Sequence, residues 1–274
     1  MTLVLRTLLF LGLSGLASAA PLPFTPSSVP GGIAAVALPD GPARPSVRYG
    51  DNPVMVQRFD DRWYAIVGVP LSAKAGTDYL VSAGKRIPFT ISDKRYNEQH
   101  IKLANKRQVN PNPEDEARIA RESQLMQPAW RTWDGEHVPD LRLAQPTPGT
   151  LTSSFGSRRF FNGEARAPHS GLDIAAPQGA EVRAPAEGTV VLTGNFFFNG
   201  NSVFLAHGQG MVSMYCHLDQ IAVKAGQRVK TGDLLGLVGK TGRATGPHLH
   251  WSLSLNNARV DPRLLLPKPD GEQP

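Results

Sequence analysis

The chain of 274 residues carries 27 glycines and 24 prolines, and their spacing breaks its apolar residues into runs of strand length. That punctuation favours β architecture over a helix bundle. Ile33–Leu38, Val54–Phe59, Trp63–Val69, Asp78–Ser82 and Ile87–Ile91 read as short strands. Asp60-Asp61, Ala75-Gly76 and Ala83-Gly84 separate them, which is the spacing of a small antiparallel sandwich or barrel.

One stretch breaks the rhythm. Asn112 can cap a helix, Pro113 suits its first position, and Glu114, Asp115 and Glu116 suit the positive end of its dipole. The predicted helix runs to about Met126 and stops at Pro128. An extended connector follows, laid against a domain and including Trp130 and Trp133. From Pro146 to Leu266 the β pattern resumes, with strands predicted at Thr150–Phe155, Leu172–Ala175, Thr189–Gly194, Ser202–His207, Met211–His217 and His248–Leu255. Asn199-Gly200 marks a hairpin. The expected fold is mainly β: a small antiparallel β-sandwich-like domain (20–105), a helical and extended linker (106–145), a β-rich domain on an antiparallel sheet (146–266), and a tail (267–274).

The first nineteen residues have a basic start at Arg6, an apolar run from Thr7 to Leu16 and the small-residue site Ala17-Ser18-Ala19. This pattern describes a cleaved secretory signal and an exported mature protein with no stable membrane insertion. Cys216 is the only cysteine, so no intramolecular disulfide can form, and no cysteine stands at the cleavage site to carry a lipid. Free cysteine is among the most buried residue types, and a buried thiol is the expectation for Cys216. The formal net charge of +6 falls by one when Arg6 leaves. Such a charge draws a protein toward anionic cell-wall polymer, a membrane surface or nucleic acid. Lys and Arg are scattered rather than clustered in a stripe, which argues against a nucleic-acid partner.

Five of the seven histidines lie in the second half. His248 and His250 flank Leu249 in a predicted strand, so both imidazoles share one face while Leu249 points into a core. Spacing does not say which of the two would bind a metal. His169 and Asp173, four apart on an extended or bent segment kept from helix by Gly171, Pro168 and Pro177, also share a face. In Met214-Tyr215-Cys216-His217-Leu218, alternation pairs Tyr215 with His217 and Cys216 with Leu218. A histidine there suits proton transfer beside a metal-bound water. His100 is expected at the surface, His137 in a structural role, and His207 outside the site.

Taken in order, His169-x-x-x-Asp173, Tyr215-x-His217-Leu218 and Gly246-Pro247-His248-x-His250 resemble the M23 family of zinc metalloendopeptidases, the lysostaphin- or LytM-type cell-wall hydrolases. The resemblance covers about Pro146 to Pro262. The upstream β-rich part is similar to the N-terminal domain of exported Gram-negative members. By that resemblance His169, Asp173 and His250 hold Zn2+, His217 and His248 are catalytic, and Tyr215 contacts the metal's surroundings or the substrate. The implied activity is hydrolysis of peptide crosslinks in periplasmic peptidoglycan, at the D-alanyl to diaminopimelyl bond, by a monomer. Some relatives lack the ligands and only activate cell-wall amidases, which is the competing reading and would bring a regulatory cell-wall partner. A further expectation is that the N-terminal domain or the Phe160–Gly163 loop covers the cleft, with Asn162 within reach of the metal.

Overall fold

The computed structural model describes residues 22–153 and 155–267, with the side chain of Ser153 excepted. The predicted signal segment and nearly all of the predicted tail lie outside the described residues. Within them the chain is mainly β, with antiparallel sheets and one α-helix.

The upstream strands form two sheets. Strand Arg62–Gly68 runs between Ile33–Ala37 and Met55–Phe59, all antiparallel, and Gly76–Ser82 pairs with Lys85–Ile91 and Val47–Tyr49. Ala34, Val56, Ala65, Val67, Leu80 and Phe89 fill the space between the sheets. The alternate residues Ile33, Met55 and Ile66 face away from that core and join a second one with Leu172, Trp251 and Leu253. Ala65, Ile66 and Val67 are consequently all fully buried. A strand buried on both faces loses the polar-apolar alternation of a surface strand. Polar groups fasten the contact. Asn256 accepts from Gly68 N at 2.7 Å and donates to Gly68 O at 2.9 Å. Any side chain at Gly68 would drive its Cβ to 2.7 Å from the Leu255 carbonyl oxygen.

The downstream sheet has ten strands. Its middle is Gly188–Phe196, Gly200–Gly208, Met211–Ile221, Leu249–Leu255 and Leu172–Ala175, each hydrogen-bonded to the next. One side buries Leu172, Val203, Tyr215, Leu218, Leu249 and Trp251. The other buries Phe196, Phe204, Met214 and Cys216 under Ala129 and Trp130 of the helix.

That packing also corrects the predicted helix end. The helix spans Pro113–Trp130 with Pro128 inside it, and Asn112 caps it by accepting from Asp115 N at 2.9 Å. Proline removes one donor and crowds the preceding turn. Ala129 and Trp130, 6% and 7% exposed, carry the last turn into the apolar cluster, and tertiary burial outweighs the local preference.

A small fourth sheet has no counterpart in the predicted strands. Glu98–Ile101 runs parallel to Arg158–Phe161, which pairs antiparallel with Glu164–Arg166. It places the segment downstream of the upstream sheets along the edge of the site described next.

Candidate metal centre

Three neighbouring strands bring the site together. Asp173 is opposite His250 in the ladder between Leu172–Ala175 and Leu249–Leu255, and Cys216 is opposite His250 on the other side. Leu249, fully buried, anchors the strand that presents His250; burying such a side chain contributes on the order of 1.5–3 kcal/mol. His169 precedes its strand in a bend pinned to a neighbouring turn, with His169 N donating to Ser157 O at 2.9 Å and Gly156 N donating to His169 O at 2.8 Å. Gly171 makes the bend feasible, because a Cβ there would lie 2.6 Å from the His250 ring.

The donor atoms of these residues converge. Asp173 Oδ1 lies 2.8 Å from His250 Nδ1 and 3.1 Å from His169 Nε2, and the two ring nitrogens are 3.0 Å apart. His250 Nε2 faces Ser252 Oγ at 3.0 Å; with its proton on that nitrogen, Nδ1 presents a lone pair to the cluster. Burial pushes His169 down to about 4 against the pull of its bond to Asp173. Burial alone would raise Asp173, but the close approach of the His169 and His250 ring nitrogens outweighs it and holds the carboxyl well below the usual carboxylate range. Two imidazoles and one carboxylate, with ligand atoms within 4.8 Å of one another, fit the donor set of a catalytic zinc.

Beside the triangle stand the other two histidines of the cleft. The His217 ring is 4.8 Å from that of His248 and 6.0 Å from that of His250, centroid to centroid. His217 Nδ1 faces Thr241 O at 2.8 Å, and His248 Nδ1 faces Gly246 O at 2.8 Å. A carbonyl oxygen can only accept, so each Nδ1 carries a proton, and in the neutral ring that leaves the lone pair on Nε2. Burial, with His250 and His248 nearby, lowers His217 to about 3.

Simple alternation does not account for the position of His217. Tyr215 and Leu218 both lie in the large core while Cys216 lies on the opposite face. Between Val203↔Tyr215 and Asn201↔Leu218 the strand Met211–Ile221 holds one more residue than its partner. His217 takes a left-handed backbone, φ 62°, and its N–H donates to Asn199 O at 2.8 Å. This is a β-bulge, and it turns His217 toward His248 and His250 where a regular strand would turn it inward with Tyr215. Tyr215 therefore departs from its expected role. It is fully buried and hydrogen-bonded to Ser213 Oγ at 2.8 Å, beyond the reach of substrate.

Cys216 is fully buried, with burial raising its thiol to about 12. His207 lies apart, closed between Glu187 O and Ser213 Oγ. His100 stacks on Phe160 at the exposed edge. Asn162 does not face the metal cluster: its amide both accepts from Leu103 N and donates to Leu103 O. The cleft is lined instead by Ile101, Leu103, Arg159, Phe161, Phe198 and Arg243 around the histidines, and none of its lining residues comes from the strands between 33 and 91. Arg159 Nη2 reaches the second oxygen of Asp173 at 3.3 Å.

Comparison with known proteins matches this arrangement to one family. A sequence model of Peptidase family M23 matches residues 167–262, and one of the Peptidase family M23 N-terminal domain matches residues 26–94. A crystal structure from Pseudomonas aeruginosa assigned to peptidase M23 is 44% identical with a TM-score of 0.74, covering 87% of this chain and 95% of that one. The chain belongs to peptidase family M23. Among curated M23-like relatives, the peptidoglycan DD-endopeptidase ShyA of Vibrio cholerae is 43% identical over 112 residues, 40% of this chain and 26% of ShyA. The DD-carboxypeptidase/endopeptidase Mpg of Neisseria meningitidis is 39% identical over 121 residues, 44% of this chain and 28% of Mpg. The match thus spans about a quarter of the length of these curated relatives; the residues matched by the M23 family model, 167–262, include His169, Asp173, His250 and both flanking histidines.

Proposed function

We propose that the protein is a zinc endopeptidase that hydrolyses the peptide crosslinks of peptidoglycan, at the D-alanyl to diaminopimelate bond, after export to the periplasm. The reading is carried by the convergence of His169 Nε2, Asp173 Oδ1 and His250 Nδ1 beside two histidines whose Nδ1 protons are committed to backbone carbonyls. His169, Asp173 and His250 would hold the zinc. Bound there, it would polarise the scissile carbonyl and acidify a water molecule.

The protein's own groups would then manage the protons. His217 offers an unprotonated Nε2 in a dry setting, and its Nδ1–H bond to Thr241 O fixes the ring plane. It accepts the proton of the attacking water as general base. His248, pinned through Gly246 O, stands beside it; once protonated, either imidazolium can donate to the developing oxyanion or to the departing amine. Buried surroundings disfavour the imidazolium, so the proton is passed on rather than kept.

Relatives named as peptidoglycan DD-endopeptidases and as a DD-carboxypeptidase/endopeptidase support this substrate class. The test is mass analysis of crosslinked muropeptides incubated with zinc-loaded protein. Release of monomers with free D-alanine ends, abolished by a chelator, is the expected result. Intact crosslinks alongside stimulation of an added amidase would favour the activator reading instead.

A further inference from the structure

Three arginines gather near the cleft, and the protein answers the charge of two. Arg159 meets Asp173 at 3.3 Å, and Arg166 meets Glu164 at 2.7 Å. Arg243, which lines the cleft with the histidines, meets no carboxylate among the described residues. Its guanidinium is held between aromatic rings, 4.5 Å from the Phe161 centroid and 4.2 Å from that of Phe198. Its hydrogen bond is a long one, Nη1 to Gln108 O at 3.3 Å. A guanidinium has five N–H donors, so most of its edge is unused. Burial, reinforced by Arg159 and Arg166, lowers its pKa to about 10, and the group is still charged at neutral pH. Two rings packed against the cation hold it in place but cannot satisfy its N–H edge. Holding a partly buried cation without a counter-ion is unfavourable, and the arrangement makes sense when an anion arrives with the substrate.

We propose that Arg243 binds a substrate carboxylate, the one on the diaminopimelate carbon whose nitrogen forms the scissile amide. Diaminopimelate has two amino-acid centres. A crosslink consumes the amine of one centre and leaves the carboxylate of that centre free, two bonds from the scissile nitrogen. An anion therefore accompanies the bond to be cut into the cleft that Arg243 shares with His169, His217, His248 and His250. The guanidinium edge suits a carboxylate bidentately, and docking it would orient the leaving amine. The identity of this carboxylate rests on the crosslink-hydrolysis reading; the anion site rests on Arg243 and its surroundings.

The experiment uses two crosslinked peptide dimers that differ at that carboxylate, one free and one converted to the carboxamide. Zinc-loaded full-length protein is assayed for hydrolysis of both, and the His217→Ala protein for binding of both by calorimetry. The free acid should bind and turn over about ten-fold better, the scale of a charge-assisted hydrogen bond. Arg243→Gln should erase the difference mainly through KM, and Arg243→Lys should restore part of it. Comparing the two peptides on the unaltered protein needs no variant, so an unstable Arg243→Gln protein does not obscure the answer. Equal binding and equal turnover of acid and amide would overturn the anion site while leaving the hydrolase reading intact. Preferential binding of the acid without hydrolysis of either would support the site and sink the hydrolase. Failure to bind either peptide would overturn the site.

Discussion

Two histidine clusters lie on the downstream sheet and differ in one respect. At His207 both ring nitrogens are used up by the protein: Nδ1 donates to Glu187 O and Nε2 accepts from Ser213 Oγ, each at 2.7 Å. At the cleft, His217 and His248 each commit Nδ1 to a carbonyl, and His250 commits Nε2 to Ser252, leaving the second nitrogen toward a shared space. Both settings are buried, and burial lowers His207 to about 4 just as it lowers His169. Depressed basicity therefore does not mark the site. What marks it is the valency the protein leaves open.

The strongest way to break the comparison is to remove a member of the open cluster. Asp173→Ala deletes the carboxylate that both His169 and His250 address and strips Arg159 of its partner. Zinc content measured by atomic emission should fall from one equivalent to near none, with muropeptide hydrolysis lost. A variant that keeps both would refute the ligand assignment. His217→Ala should behave differently, retaining its zinc while turnover falls by about 10²–10⁴, the usual contribution of a general base. Loss of metal from His217→Ala would move that residue into the ligand set.

A smaller effect is expected one contact further out. Arg159 is 18% exposed at its side chain and holds the second oxygen of Asp173. Partners that orient metal ligands typically contribute about 10–100-fold in metal affinity. Arg159→Gln should lose zinc to a competing chelator at correspondingly lower concentration while reaching near-normal activity in excess zinc. An unchanged chelator titration would show that the Arg159 contact does not position Asp173.

How much of this was legible in the chain follows the range of the forces involved. Alternation placed His248 and His250 on one side with Leu249 in the core, and the bend around Gly171 let His169 meet Asp173. Local pattern is enough for these. Alternation gives His217 the wrong neighbours, because one extra residue in a strand reverses the pattern and only pairing with Gly200–Gly208 reveals it. Glu98–Ile101 carries no strand signal because its partner is parallel and sixty residues away, with no turn between them to mark the pairing. The helix end is hidden for the same reason, since burial of Trp130 on a distant sheet overrides Pro128. Arg243 gave no signal at all: an arginine in Thr-Gly-Arg-Ala reads as a solvated loop residue until Phe161 and Phe198 close on it.

The closed cluster supplies the mildest test. His207 is neutral in the folded protein down to about pH 4, whereas an unfolded chain takes up that proton near the ordinary value of 6.5. Between those limits the unfolded state binds more protons, so stability falls as pH falls, and the contribution of His207 is complete above about 6.5. Each unit of difference corresponds to about 1.4 kcal/mol, which puts the share of His207 on the order of 3–4 kcal/mol. His169 and His217 shift in the same direction, so the variant should flatten the curve without abolishing its slope. His207→Gln is expected to melt below the wild type at pH 7, where Ser213 loses its acceptor, and the gap should narrow as the pH approaches 4. Activity at pH 7 and a temperature well below both melting points should be within about two-fold, because a histidine with both nitrogens occupied has none to offer the substrate. A large loss of turnover in a folded, zinc-loaded His207→Gln protein would mean that the two clusters communicate through Ser213 and Tyr215, and the distinction between open and closed valency would no longer separate site from scaffold.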